Sequence, residues 1–423
     1  MKKYLMGDSQ RELLDATLEL GRRMVQSGAE VRRVEDTIRR VLRAYHAKSV
    51  EVFSISSMVL CTVRYADGTI WTQSKRIIGY GVNLRKLELY NALAREICRT
   101  PLSPQEFRFR LQEIARSRNR DWVDAACYML SAGSMAPFFG GNLADALAAA
   151  LLGLVVFIFD RFLKTPKTNT IVYTLFACLV SGLLSIGFVR IGLGTHLDKI
   201  LISVVFLFIP TLAFCNSIKD MLYGDILTGM YRLVEALLIA TALTAGFFLA
   251  KLLLHSVSVP VPSIPINIIP WPEQLVLAFL GSLGFSVYFR IQRKRILEAA
   301  VGGILGWIVY LLVDYVSGSL FLSNAAAAMA IECYAEAAAR LWKAPANIFL
   351  IPAVVPLLPG ASFYRCINGL MGDNLSQCYD AAKSLFLTTA GIEIGFLLAF
   401  IVFFRSVQFF REGLRFYRTE RQR

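Results

Sequence analysis

Two stretches of this chain, about 150 residues apart, carry nearly the same sequence. Each begins at a proline, Pro210 or Pro359, has a phenylalanine four residues later, and continues with Gly-Asp-x-Leu-(Thr/Ser)-x-x-Tyr. Both lie inside long apolar segments, where a proline removes a backbone hydrogen bond and breaks the helix. A duplicated membrane unit with one broken helix in each copy is typical of secondary transporters.

Two further matches occur at nearly the same offset, so that all of them fall 148–153 residues apart. Residues 130–133 read Leu-Ser-Ala-Gly, and residues 281–284 read Gly-Ser-Leu-Gly. Asp145-Ala is followed by a glycine eight residues after the acid, and Glu298-Ala is followed by a glycine at the same distance. We therefore predict an internal duplication of the membrane part.

The composition fits this prediction, since 56% of the 423 residues are hydrophobic and the mean hydropathy is +0.52. The apolar runs begin after residue 121, and the part before them has two helical patterns, about three strands and two more helical patterns. Asp67-Gly68 predicts a hairpin turn between two of the strands. The fold class is thus an α-helical polytopic membrane protein with an N-terminal cytosolic α+β domain. The predicted divisions are this domain at 1–121, a first five-helix repeat at 122–253, a proline-rich linker at 254–272, a second five-helix repeat at 273–405 and a basic cytoplasmic tail at 406–423.

About ten apolar segments have the length of about 20 residues that a bilayer core requires. Their predicted bounds are 122–139, 143–161, 169–189, 199–222 (broken), 228–252, 273–290, 297–316, 321–342, 345–370 (broken) and 379–405. Lys and Arg residues alternate between loops as the positive-inside rule requires, which places both termini in the cytoplasm. Arg190 and Lys199, in the loop after the third segment, are exceptions to this alternation. Five spans per copy would give the two repeats opposite orientations, as alternating access requires.

The net charge of +14 would suit a nucleic-acid partner, but the charge flanks membrane spans, so we expect membrane lipid and no nucleic acid. The N-terminus lacks the apolar core of a signal peptide. No histidine has a second histidine or a cysteine at ligand spacing, so we expect no metal and no cofactor. The eight cysteines are interpreted as small core residues of a reducing compartment.

Polar residues crowd the turns after Pro210, and ionisable groups inside a membrane usually have a function. The candidates in the first copy are Asn216, Lys219, Asp220, Asp225 and Arg232. A substrate with an ammonium and a carboxylate group could bind among them. The alternative is a solvated cytoplasmic loop.

The break of the second copy lies at Pro359-Gly360 and is followed by Tyr364 and Arg365. The planar guanidinium of Arg365 suits a carboxylate. The alternative for Arg365 is a side chain that extends to the membrane interface.

Four carboxylates are proton-coupling candidates. Asp145 and Glu298 lie near helix starts, where an acid is also favoured by the helix dipole. Glu332 and Glu393 lie deeper in apolar segments. Glu332 could instead pair with Arg340.

The N-terminal domain has no recognisable catalytic motif, and its charged helix face is interpreted as solvated. The residues of this face are Glu30, Arg33, Glu35 and Asp36.

Three groups of residues resemble the threonine/serine exporter family. They are Ser27-Gly-Ala-Glu-x-x-Arg33-x-Glu-Asp, Ser131-Ala-Gly with Phe139-Gly-Gly, and Asn216-x-x-x-Asp220-x-x-x-Gly-Asp-x-x-Thr-Gly-x-x-Arg232-x-x-Glu. Residues from about 10 to 253 look like the N-terminal half of that family. Residues 273–405, with Pro356-x-x-Pro-Gly-x-x-x-Tyr-Arg365, look like its smaller partner half, here fused in one chain. The chain departs from the pattern at Thr211, where the family often has glycine after the proline.

The resemblance implies proton-driven export of threonine and serine from the bacterial cytoplasm across the inner membrane. On this interpretation, Asp220 and Asn216 bind the ammonium or hydroxyl group, and Arg365 and Lys219 bind the carboxylate. Relatives with the halves on two chains are implicated in dicarboxylate export, so succinate is an alternative substrate. A membrane-anchored enzyme or sensor acting through residues 1–121 is a second alternative. Homo-oligomerisation is left open.

Overall fold

The computed structural model describes residues 2–79, 81–117, 121–163, 168–222, 224–253, 269–371 and 374–420. The chain divides into two compact units, one of residues 1–265 and 283–297 and one of residues 266–282 and 298–423. Most of the predicted linker lies outside the described residues, as do Gly372 and Asp373 of the second repeated motif. The side chain of Thr211 lies outside them as well.

The N-terminal part follows the predicted order of two helices, three strands and two helices. These are α1 (Lys2–Gln26), α2 (Val31–Ala44), β1 (Ala47–Ile55), β2 (Met58–Tyr65), β3 (Ile70–Arg76), α3 (Leu84–Arg99) and α4 (Pro104–Arg116). The strands form one antiparallel sheet in the order β1-β2-β3. As predicted, Asp67-Gly68 makes the second hairpin turn, with Gly68 at φ +84° and the Asp67 carboxylate accepting from the Thr69 amide.

The core of this part forms where α1 and α2 cover the sheet. Leu14, Leu18, Val34 and Ile38 recur at helical spacing and are completely or almost completely buried. Val59 and Val63 alternate along β2 toward the same core and are fully buried.

Six helices follow in the first unit, and their bounds agree with the predicted segments to within about two residues, the usual uncertainty of helix ends. They are α5 (Asp121–Phe138), α6 (Leu143–Phe162), α7 (Thr170–Arg190), α8 (Leu197–Phe208), α9 (Thr211–Leu222) and α10 (Ile226–Leu253). α8 and α9 together occupy the fourth predicted segment, which was expected to be broken at Pro210.

The remaining helices follow the same order. They are α11 (Trp271–Tyr288), α12 (Ile296–Ser317), α13 (Leu320–Trp342), α14 (Asn347–Val354), α15 (Gly360–Met371) and α16 (Leu375–Glu420). α16 does not end at 405, where the last span was expected to end, but continues to Glu420.

Five of the described helices are long and apolar enough to cross a membrane, or seven spans are present if each bent pair is one. The five are α6, α7, α10, α12 and the first 28 residues of α16. The chain is therefore a multi-pass membrane protein by length and composition, and the count of ten remains a prediction.

The two broken helices bend by similar angles, 49° between α8 and α9 and 45° between α14 and α15. Glycine contacts recur at matching places as well. A Cβ on Gly246 of α10 would lie 2.5 Å from the Leu175 carbonyl oxygen of α7, and a Cβ on Gly395 of α16 would lie 2.3 Å from the Ala325 carbonyl oxygen of α13. The matching positions are 149 and 150 residues apart. This shared geometry is what an internal duplication would produce.

Candidate functional site

A cavity of about 480 Å³ lies in the first unit beside the break between α8 and α9. Pro210 and Ala213 line it from the break itself, because the proline cannot continue the helix and leaves the two halves at an angle. Residues Gly81 and Val82 of the N-terminal part line the same cavity. Its volume is in the range of pockets that bind small molecules, about 300–1,000 Å³.

The walls of the cavity carry four carboxylates and two guanidinium groups. They are Asp121, Asp124, Asp160 and Glu235, with Arg161 and Arg290. Arg290 lies 3.3 Å from Asp124, and Arg161 lies 3.5 Å from Asp121. The surplus of carboxylates gives the cavity a negative charge, which favours a ligand with a cationic group.

Asp160, near the end of α6, is held by two tyrosines. Tyr128 of α5 donates a hydrogen bond of 2.5 Å to one carboxylate oxygen, and Tyr173 of α7 donates to the other. Tyr288 packs edge-on against Tyr128 with ring centroids 4.8 Å apart. Sequence reasoning missed Asp160, because its place beside Arg161 at the end of an apolar run reads as a membrane interface. Its position within an apolar helix could have identified it as a candidate, because a carboxylate there needs hydrogen-bond donors from neighbouring helices.

The polar residues predicted after Pro210 lie elsewhere, at a contact between α9, α10 and the segment that joins α1 to α2. Asp220 and Arg232 form an ion pair of 2.6 Å, and both are almost completely buried. Arg232 also donates to the Ala29 carbonyl oxygen at 3.0 Å, and the Val31 amide donates to Asp220 at 3.4 Å. Asn216 donates to the Gly28 carbonyl oxygen at 3.2 Å. None of these three polar side chains lines the cavity described above.

Glu30 completes this contact and corrects the expectation of a solvated helix face. It is only 5% exposed and lies 3.7 Å from the Lys219 ammonium and 4.0 Å from Arg33. Burial opposes the charged form of Glu30, but the cations of Lys219, Arg33 and Arg232 outweigh it and lower the pKa of this carboxyl group. Asp36 is half-exposed, as expected, but the Glu35 side chain is only 14% exposed, because it pairs with Arg39 and accepts from the Ser54 amide at 3.0 Å.

Asp225 is partly buried in the turn between α9 and α10, after Gly224 at φ +93°. Its amide donates to the Asp220 carbonyl oxygen at 2.9 Å, and its own carbonyl oxygen accepts from the Gly229 amide at 3.0 Å. These bonds close α9 and start α10, so that Asp225 sets the path of the chain at this turn.

The predicted residues of the second copy belong to the second unit. Pro359 precedes α15, which begins at Gly360, so the break is where the sequence predicts it. Tyr364 is buried and Arg365 is exposed. An exposed guanidinium is compatible with both readings of Arg365, a carboxylate ligand or an interfacial side chain.

Asp145 is fully buried and forms a capping box with Asn142 at the start of α6. It also accepts from the amides of Thr195 and His196 at 2.7 and 2.9 Å, and its second oxygen lies 2.7 Å from the His196 ring Nδ1. The helix-capping alternative is thus present, together with a histidine contact that the sequence did not reveal. A carboxylate beside an imidazole can hold or pass a proton.

The other three coupling candidates lie in the second unit. Glu332 of α13 is buried, whereas Glu298 of α12 and Glu393 of α16 are partly buried. The backbone oxygen of Glu298 accepts a hydrogen bond from the Tyr334 hydroxyl.

Two family models match most of the chain. The model described as "Putative threonine/serine exporter" matches residues 15–254, and the model described as "Threonine/Serine exporter, ThrE" matches residues 274–402. These are the two halves to which the sequence motifs pointed.

Curated relatives are similar over long stretches. A protein of Mycobacterium tuberculosis named a probable threonine/serine exporter is 19% identical over 92% of this chain and 77% of its own length. A threonine/serine exporter of Corynebacterium glutamicum is 22% identical over 74% of this chain and 67% of its own. A probable succinate transporter subunit of Klebsiella aerogenes is 24% identical over 57% of this chain and 93% of its own. No solved structure matches the chain. All three names describe transport.

Proposed function

Because the chain belongs to the threonine/serine exporter family, we propose that it is a secondary active exporter that moves threonine and serine out of the bacterial cytoplasm. We propose further that export is coupled to protons, and that the protein lies in the inner membrane with both termini in the cytoplasm. The ten spans and the inverted repeat belong to the same proposal.

The cavity beside Pro210 is the observation that carries the proposed substrate class. A hydroxy amino acid presents an ammonium, a carboxylate and a hydroxyl group. Asp160 and Glu235 would bind the ammonium group, and Arg290 would bind the carboxylate group. Tyr128, which already donates to Asp160, would contact the hydroxyl group.

The charge of this cavity argues against the dicarboxylate alternative. Four carboxylates against two guanidinium groups would repel a dianion such as succinate. The same charges leave a zwitterion with its ammonium group in a favourable field. We therefore propose these cavity residues as substrate ligands in place of Asn216, Lys219 and Asp220. Arg365 and Tyr364, with the break at Pro359-Gly360, remain the proposed contribution of the second repeat.

The proposed sidedness has support from the N-terminal part. The amides of Leu84 and Arg85 donate to the carbonyl oxygens of Phe289 and Arg290 at 3.1 and 2.9 Å. The loop after α11 is one that the basic-residue pattern assigns to the cytoplasm. The loop before α8 was an exception to that pattern, but Lys199 is buried there and lies 3.0 Å from Asp198. Its charge is thus neutralised locally and need not report topology.

Efflux from proteoliposomes tests the proposal. Vesicles with the purified protein are loaded with labelled threonine, serine or succinate, and efflux is followed with and without an acidic exterior. We expect gradient-dependent loss of threonine and serine, and retention of succinate. Loss of succinate alone would overturn the substrate assignment, and equal efflux with and without the gradient would overturn proton coupling.

A further inference from the structure

The contact between the N-terminal part and the first broken helix consists mainly of buried charges and backbone groups. Asp220, Arg232, Glu30 and Lys219 are each at most 6% exposed. Their charges cancel in two pairs, at 2.6 Å for Asp220 with Arg232 and 3.7 Å for Glu30 with Lys219. Buried charges of this kind are costly unless every partner is in place, so the contact has one well-defined arrangement.

The local structure of residues 28–31, the junction segment, explains why its backbone is available. Gly28 has φ +99°, in the left-handed region that glycine favours, and ends α1. The Gly28 amide donates to Val25 and the Ala29 amide donates to Met24, a Schellman arrangement. The carbonyl oxygens of Gly28 and Ala29 then accept from Asn216 and Arg232. Glu30 lies at the N-cap position of α2 but makes no capping bond with its side chain.

The first turn of α9 forms part of the cavity wall through Ala213. Asn216, Lys219 and Asp220 lie on α9 about one and two turns after Ala213, which lines the cavity together with Pro210. The break at Pro210 interrupts the backbone hydrogen bonds between α8 and α9, so α8 alone does not fix the direction of α9. A segment that fixes the later turns of α9 therefore fixes the cavity wall.

We propose that the junction segment holds α9 in position, with Glu30 and Lys219 as positioning residues for transport, and that its release changes the substrate cavity. This inference rests on the proposed function, because it concerns the same cavity. The N-terminal part acts through α9 and does not touch the substrate through Glu30. Any event that separates Glu30 from Lys219 would detach the junction segment from α9.

Two native cysteines give a readout that needs no transport substrate. Cys215 lies on α9 beside Asn216, and Cys178 lies on α7 near Gly246; both are fully buried. The purified protein is treated with a maleimide in detergent, and labelling of each peptide is followed by mass spectrometry. In Glu30→Gln we expect labelling of Cys215 at least fivefold faster than in the native chain, and unchanged labelling of Cys178. A general loss of folding would expose both cysteines.

Asp36→Asn is the matched control, because Asp36 lies on α2 but pairs with Arg39 and Arg40 and not with α9. It should leave the labelling of both cysteines at the native rate. The conservative variant Glu30→Asp keeps the negative charge among Lys219, Arg33 and Arg232 and should label Cys215 more slowly than Glu30→Gln does, which also covers the case in which one variant folds poorly. Failure of Glu30→Gln to change Cys215 labelling would overturn the proposal.

Transport kinetics supply the second readout. Glu30→Gln should change the KM for threonine several-fold at an equal amount of folded protein, and Glu30→Asp should keep it closer to the native value. If both the KM and the rate of Cys215 labelling are unchanged, the contact between Glu30 and Lys219 does not position α9, and the proposal is wrong. If the native chain moves neither threonine nor serine, the proposed function fails, and the labelling experiment still decides whether the junction segment holds α9.

Discussion

The two broken helices share a bend but differ in chemistry. In the first, Asn216, Asp220 and Arg232 are buried against the N-terminal part. The position 149 residues after Asn216 is Arg365, and the residue that follows the tyrosine of the repeated motif is Arg232 in the first copy and Asp380 in the second. The buried amide of the first copy is thus replaced by an exposed guanidinium, and the buried cation is replaced by an exposed carboxylate. The charges are buried in the copy where the junction segment supplies their hydrogen bonds.

The contact between the second half of each broken helix and the helix that follows it also differs between the copies. In the first copy a Cβ on Gly229 would lie 2.7 Å from the Ser217 carbonyl oxygen, so α9 and α10 pack tightly. In the second copy, Cys366 of α15 and Cys378 of α16 have sulfur atoms 3.4 Å apart. The helix pair is therefore close in both copies, although the groups in contact differ. The bend is common to the two breaks, whereas the polar residues near each break differ.

The largest expected effect comes from breaking the buried pair of the first copy. Arg232→Ala leaves the Asp220 carboxylate buried without its cation, which costs about 3–5 kcal/mol in comparable cases. We expect a strongly reduced yield of folded protein and a lower unfolding temperature, measured by fluorescence-detected size exclusion after heating. Arg365→Ala in the second copy should change neither, because that side chain is exposed.

A double variant separates charge from packing at the same site. Asp220→Leu combined with Arg232→Met removes both charges and keeps much of the volume, and such replacements are often neutral or stabilising. We expect it to recover most of the folded yield. Poor folding of the double variant would mean that the site requires its hydrogen bonds to the junction segment more than it requires charge balance.

The second effect concerns transport. Asp160→Asn removes the charge that two tyrosines orient, and loss of a hydrogen bond to a charged group costs about 1.5–3 kcal/mol, or roughly 10- to 150-fold in rate. We expect threonine efflux to fall by such a factor at an unchanged folded yield. Asp314 lies near the end of α12, as Asp160 does near the end of α6, and Asp314→Asn is the matched control. Equal losses in the two variants would contradict the assignment of the substrate cavity to the first unit.

The third effect, a loss of stability from overpacking at a helix contact, should be the same in both copies. Gly246→Ala and Gly395→Ala would place a Cβ 2.5 and 2.3 Å from a backbone oxygen of the facing helix. Overpacking of this kind costs about 1–3 kcal/mol. We expect similar decreases in unfolding temperature for the two variants. Gly187→Ala, where a Cβ would meet nothing within 4 Å, should have little effect. Unequal decreases would weaken the case for equivalent α7–α10 and α13–α16 contacts.

Much of the fold could be predicted, because helix bounds follow from local patterns. The apolar runs, the proline at 210 and the turn at Asp67-Gly68 each act within a few residues, and each was found where the sequence indicated. The role of Glu30 could not be predicted this way. Its contact joins segments about 190 residues apart, as the bond from the Val31 amide to Asp220 shows, and a single sequence carries no periodic signal for such a pair.

Asp160 illustrates a second limit of sequence reasoning. Its two tyrosine donors come from α5 and α7, so the site exists only once three helices have packed. Asp220 illustrates a related limit, because a cluster of polar residues after a helix break suggests a ligand site but does not indicate the partners of each group. The structure instead places its carboxylate against Arg232 and the junction segment. For both residues the partners come from other helices or segments and became apparent only in the packed structure.

The smallest expected effect tests proton coupling, in which the copies also differ. Asp145 contacts His196 in the first copy, whereas the position 149 residues after His196 is Pro345. His196→Gln keeps a polar side chain but cannot be protonated near neutral pH. Loss of a hydrogen bond worth about 0.5–1.5 kcal/mol corresponds to about two- to tenfold. We expect stimulation of threonine efflux by an acidic exterior to fall by such a factor, while efflux without the gradient changes less.

Two neighbouring charges bear on that experiment, since Asp198 and Lys199 form a buried pair of 3.0 Å in the next turn. Because they neutralise each other, the replacement of His196 should leave this neighbouring pair unchanged. His46→Gln in the exposed turn before β1 is the control and should leave gradient stimulation unaltered. Full stimulation in His196→Gln would move proton coupling away from the contact between Asp145 and His196. Glu298, Glu332 and Glu393 of the second copy would then be the carboxylates to replace next.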